Sequence, residues 1–103
     1  MNLNELAYIQ IEGTQRNHDI VVYALSTCGF CKRALAYLEE KDIAYKYIYV
    51  DQLPIETKNE IKAILRERFK ENVAFPFAVI DDAAHLVGFI KPDWIRTLGL
   101  TEE

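Results

Sequence analysis

The chain has 103 residues, which fits one domain, because single hydrophobic cores are commonest at roughly 100–150 residues. Half of it is apolar, 27% is charged and 12% is aromatic, so a core can form without a disulfide framework or a metal, and disorder is not expected. Lys and Arg number 12 against 16 Asp and Glu, a net charge of −4 that argues against a phosphate-neutralising nucleic-acid surface.

The stretch Met1–Ile11 carries no basic leader, and Glu5 interrupts its apolar positions. No apolar run approaches the ~20 residues that span a bilayer. The expectation is a cytoplasmic chain with no membrane partner, in a compartment where thiols are kept reduced.

Ala7–Ile11 alternates weakly, and strand and helix are both open there. After a polar stretch, Ile20–Leu25 is a β-branched, apolar run that predicts a strand buried on both faces. Ser26 and Thr27 are candidate caps for a helix that follows at once, with Cys31, Ala34, Leu35 and Leu38 on its buried stripe and its end near Lys41–Asp42. Ala44–Val50 predicts a second strand, joined to the first by a crossover that makes the two parallel. Pro54 suits the first turn of a second helix, whose buried stripe is Ile61, Ile64, Leu65 and Phe69. Phe77–Ile80 and His85–Val87 read as a hairpin around Asp81–Asp82. A short helix from Pro92 or Asp93 to Leu98 stops at Gly99, and Trp94 is expected to pack it down. The order β-α-β-α-β-β-α predicts an α/β fold with a four-stranded mixed sheet and helices on both faces. Residues 1–18 are expected to form an N-terminal extension and residues 19–103 the domain.

The two cysteines, Cys28 and Cys31, enclose Gly29 and Phe30 at the strand-to-helix junction. A helix N-terminus presents unpaired N–H groups and the positive end of the helix dipole, both of which favour a thiolate at Cys28. Cys31 lies one turn deeper on the apolar stripe and is expected to be more buried and to act second. The chemistry is thiol–disulfide exchange: Cys28 attacks a substrate disulfide, and Cys31 then attacks Cys28 to release the reduced substrate. Gly29 leaves room for a substrate backbone. A zinc site would need His18 and His85, without a second Cys pair or a spaced His pair, so no metal is expected. His18 reads as a solvated loop residue and His85 as a strand or turn residue. Pro76, between Phe75 and Phe77, is either a trans proline opening an edge strand or a cis proline beside Cys28 that exposes the Phe75 backbone to an extended substrate. Phe30, Phe75 and Phe77 are expected to form an apolar recognition surface suited to extended disulfide segments.

Tyr23–Ala34 around the Cys pair, Ala74–Asp81 around Pro76, and Val87–Asp93 together resemble the glutaredoxin family of the thioredoxin fold, over about residues 19–99. The resemblance implies sheet order 2-1-3-4 with the third strand antiparallel to the first two. It also implies Cys28 as nucleophile, Cys31 as resolving thiol, a cis bond at Pro76, and substrate contacts from Thr27, Gly29, Phe30, Phe75, Pro76 and Gly88. Glutathione-using members typically place a Lys where Leu25 stands, a Pro where Ser26 stands, and a Gly-Gly where this chain has Gly88-Phe89. Gly88-Phe89 followed by Pro92-Asp93 is more similar to NrdH-type redoxins, which draw electrons from thioredoxin reductase. The expected function is dithiol reduction of protein disulfides by a monomer without a tightly bound cofactor, re-reduced by glutathione or a thioredoxin-type reductase. Because Cys-Gly-Phe-Cys is one residue from the Cys-Gly-Phe-Ser of monothiol glutaredoxins, the competing expectation is a glutathione-dependent iron–sulfur carrier acting as a cluster-bridged dimer. Cys31 in place of Ser favours the dithiol route.

Overall fold

Eight regular elements follow one another in the computed structural model, which describes residues 1–100. They are β1 (Ile9–Ile11), β2 (Ile20–Ala24), α1 (Gly29–Glu40), β3 (Tyr45–Tyr49), α2 (Ile55–Phe69), β4 (Phe77–Ile80), β5 (Ala84–Val87) and α3 (Lys91–Leu98). Short 3₁₀ turns at Leu3–Glu5 and Val50–Gln52 complete the set.

β2 lies at the centre because its residues are apolar on both faces. It pairs in parallel with β3, with Ala24 opposite Tyr49, and antiparallel with β4, with Tyr23 opposite Phe77. β4 and β5 form the expected hairpin, and Asp81 and Asp82 both take positive φ, the pattern of a turn whose twist matches its strands. The sheet order is β1-β3-β2-β4-β5. The thioredoxin-type arrangement is therefore present, with one correction: the sheet has five strands rather than four. Ile9–Ile11 runs antiparallel along the outer edge of β3, with Ile9 opposite Tyr47 and Ile11 opposite Tyr45.

Successive β2 side chains point to opposite faces and feed two cores. Ile20, Val22 and Ala24 pack with Cys31, Leu35 and Leu38 of α1 and with Trp94 and Leu98 of α3. Tyr23 packs with Ile48, Phe77 and Val79 of the sheet and with Ile61 and Leu65 of α2. Ile64 and Phe69, also expected on the buried stripe of α2, are only partly covered. Trp94 is fully buried, as its expected packing role requires.

Two caps differ from expectation. Cys28, not Ser26 or Thr27, caps α1 with its own sulfur, because the Ser26 hydroxyl is turned toward Asp51. Pro54 is the cap of α2 rather than a residue of its first turn. At the other end, α1 closes through Lys41 and a left-handed Asp42, at the expected place. No helix of the described residues is long and apolar enough to cross a membrane.

Candidate active site

Three segments meet at the end of the sheet where the parallel strands β2 and β3 finish, the edge at which α/β sheets commonly carry their sites. The first is the β2–α1 turn. Cys28 N–H bonds the Leu25 carbonyl at 3.3 Å and Lys32 N–H bonds the Cys28 carbonyl at 3.1 Å, so the residue is held in backbone at both sides. Its side chain turns back over the helix start, where Cys28 Sγ accepts the Cys31 N–H at 3.2 Å. Cys28 is half-buried and Cys31 is fully buried; both are free thiols.

Burial, first, and then the Cys28 hydrogen bond push the Cys31 thiol up to about 12; the Leu25 N–H, 3.5 Å from Cys31 Sγ, pulls the other way. Thus the two sulfurs, three residues apart, occupy different environments. The outer one has a backbone donor and access to solvent, and the inner one stays protonated at neutral pH.

The second segment carries the Phe75–Pro76 peptide bond, which is cis. Of the two readings open for Pro76, the structure has the cis one. The turn brings the Phe75 carbonyl to 3.9 Å from Cys28 Sγ, close enough to accept a weak S–H bond. Gly88 supplies the third segment: its N–H bonds the Pro76 carbonyl at 2.8 Å, and its own carbonyl accepts Trp94 Nε1–H at 2.9 Å. At φ +75°, Gly88 occupies the left-handed region that suits a residue without a β-carbon.

Cys28, Cys31, Phe75, Pro76 and Gly88 are therefore gathered at one place. Gly29 and Phe30 lie exposed at the start of α1, where a β-carbon added at Gly29 would meet nothing within 4 Å. Thr27 is exposed in the turn before Cys28. The Arg33 guanidinium sits 4.5 Å above the Phe30 ring. Phe77 departs from expectation: it is fully buried in the second core, because the β4 side chain that follows the proline points into the α2 side of the sheet. The histidines are elsewhere. His18 Nδ1 lies 2.7 Å from Asp81, and His85 Nε2 lies 3.2 Å from Glu71.

Asp51 is the site neighbour that sequence reasoning missed. Its carboxylate accepts both the Ser26 N–H at 2.9 Å and the Ser26 hydroxyl at 2.5 Å. The available signal was positional: parallel strands end side by side, so the residues just past Tyr49 must approach those just past Ala24.

The glutaredoxin family profile matches residues 20–84, which run from the start of β2 through β4 to the first residue of β5 and hold the Cys pair. The chain belongs to the glutaredoxin family. Among solved structures, this glutaredoxin resembles the glutaredoxin of Methanosarcina mazei, with a TM-score of 0.77 and 27% identity over 96% of each chain. It also resembles the methanoredoxin of Methanosarcina acetivorans, with a TM-score of 0.74 and 28% identity over 85% of this chain and 90% of that one. Among curated relatives, glutaredoxin 1 of Rickettsia bellii is 31% identical over 67 residues, and glutaredoxin 1 of Rickettsia conorii is 42% identical over 43 residues. These two matches span 64% and 42% of the relatives' lengths.

Proposed function

We propose that this glutaredoxin reduces protein disulfides by a dithiol mechanism, with Cys28 as nucleophile and Cys31 as resolving thiol. The observation that carries the reading is the asymmetry of the pair. Cys28 is reachable, and its sulfur accepts a backbone N–H from the first turn of α1. Cys31 lies beneath it with a thiol pushed up to about 12, so it waits as S–H until a mixed disulfide places an electrophilic sulfur beside it.

Cys28 thiolate attacks one sulfur of the substrate disulfide and expels the other. Cys31 loses its proton, attacks Cys28 and expels the second substrate sulfur. The protein is left with a Cys28–Cys31 disulfide that a reductant must reopen. The cis turn supports a way of holding the substrate: an extended segment can pair with the Phe75 backbone while Phe30 offers an apolar face, which suits recognition by backbone rather than by one side chain. Thr27, Gly29, Pro76 and Gly88 border the same place. Leu25, Ser26 and Gly88-Phe89 depart from the glutathione-using pattern, and this supports a thioredoxin-type reductase as electron donor over glutathione. The protein is read as a cytoplasmic monomer that takes neither nucleic acid nor a membrane as partner.

The test is a pair of substitutions in an insulin-type disulfide reduction assay. Cys28→Ser abolishes reduction, and Cys31→Ser accumulates mixed disulfides that non-reducing electrophoresis displays; full activity in Cys28→Ser refutes the reading. Offering the oxidised protein either glutathione with its reductase or a thioredoxin-type reductase identifies the donor by which one restores the thiols.

A further inference from the structure

The dithiol shares its edge of the sheet with a carboxylate. Because Ala24 stands opposite Tyr49 in a parallel pair, the two chains leave the sheet side by side, and Ser26 comes to lie against Asp51. Both Asp51 oxygens are used there: Oδ1 accepts the Ser26 N–H at 2.9 Å and Oδ2 the Ser26 hydroxyl at 2.5 Å. The Ser26 hydroxyl and then its N–H hold the carboxyl below its usual range, so it is an anion at neutral pH. A low-basicity carboxylate with both oxygens occupied is a poor proton acceptor, which removes general base from its roles.

Two roles remain. Ser26 follows Leu25, whose N–H reaches Cys31 Sγ at 3.5 Å and whose carbonyl accepts the Cys28 N–H at 3.3 Å, so a fixed Ser26 fixes backbone that touches both cysteines. The charge also acts through space: Asp51 works against an anion at Cys31.

We propose that Asp51 is a positioning residue of the dithiol: through Ser26 it holds the Leu25–Cys28 turn against both cysteines, and its charge slows the resolving step at Cys31. The inference rests on the dithiol reading above. In the first step Cys28 thiolate bonds one substrate sulfur and the other leaves as thiolate. In the second, Cys31 gives its proton to solvent, its sulfur bonds Cys28, and the second substrate thiolate leaves; two electrons have passed to the substrate. The Asp51 charge opposes the anion that the second step needs.

Single-turnover reaction of the reduced protein with dithiodipyridine, an uncharged disulfide whose released thione is coloured, separates the steps. The first release reports Cys28 attack and the second reports resolution by Cys31. In Asp51→Asn the amide still offers an oxygen to the Ser26 N–H and an N–H to its hydroxyl, while the charge is gone. Asp51 is exposed, so solvent screens its charge and its removal eases Cys31 ionisation only modestly. Part of that gain is returned through weaker nucleophilicity, and the second release is expected to quicken roughly twofold to fourfold. Ser26→Ala keeps the charge and loses one bond, and its second release does not quicken. An unchanged or slower second release in Asp51→Asn, or equal quickening in both variants, overturns the assignment. Wild-type protein that gives no second release overturns the dithiol reading, and this inference with it.

Discussion

Cys28 and Cys31 sit one helical turn apart, and solvent separates them more than sequence does. Cys28 is half-buried at the cap, whereas Cys31 has no exposed surface and its thiol is raised from an ordinary 9.0 to about 12, first by burial. A thiol whose folded value is raised reacts as a thiolate only when pH climbs toward that value, and folding must then bury a charge. Stability tied to Cys31 is therefore complete below about pH 9 and is lost as pH rises toward 12. At neutral pH, limiting iodoacetamide is expected to label Cys28 well before Cys31, with peptide mass spectrometry reading the order. Labelling of Cys31 first would reverse the roles proposed for the pair.

Among the elements, the β1–β2 connection is the tightest fit that no motif announces. Gly13 passes so close to the turn after α1 that a β-carbon there would lie 2.6 Å from the Asp42 carbonyl oxygen and 2.7 Å from Ala44 N and Ile43 C. These are backbone atoms, held in turn by Gln15 N–H to Asp42 O at 3.0 Å and Ala44 N–H to Gln15 O at 2.9 Å. They cannot yield as a side-chain tip would. Gly13→Ala is expected to cost about 2–3 kcal/mol in urea denaturation, the upper range for overpacking, while Gly29→Ala, with open space around it, is neutral or slightly stabilising. Equal effects at the two glycines would contradict this packing. The same contrast explains what was legible. Elements whose pattern repeats over several residues were readable: Phe77–Ile80 matches its strand at both ends, and α1 stops where expected. Ile9–Ile11 offers three residues, too few for a period, and its strand depends on a partner edge supplied by β3. Likewise the cap of α1 moved to Cys28 because Asp51, 25 residues away from Ser26, claims the serine hydroxyl that local reading had assigned to the helix.

For the molecule as a whole, the site was legible where chemistry and topology coincide: a Cys pair at a strand-to-helix junction, and a proline before the strand that pairs with β2. The Asp51 contact and the burial of Phe77 were not, since both follow from three-dimensional register. That register also joins the two cores. β2 contributes Val22 and Ala24 to the α1/α3 side and Tyr23 to the α2 side, so neither core can come apart without disturbing the strand that carries the site. Leu65 lies wholly in the α2 core and Trp94, the one tryptophan, wholly in the α1/α3 core. Removing most of the Leu65 side chain costs about 2–5 kcal/mol, a large share of the roughly 5–15 kcal/mol that stabilises a domain. If the sheet couples the cores, Leu65→Ala moves the denaturant midpoint seen by Trp94 fluorescence as far as the midpoint seen by far-ultraviolet circular dichroism. A fluorescence midpoint that stays at its wild-type value while the circular dichroism midpoint falls would show the two faces unfolding separately. The dithiol would then stand on the α1/α3 core alone.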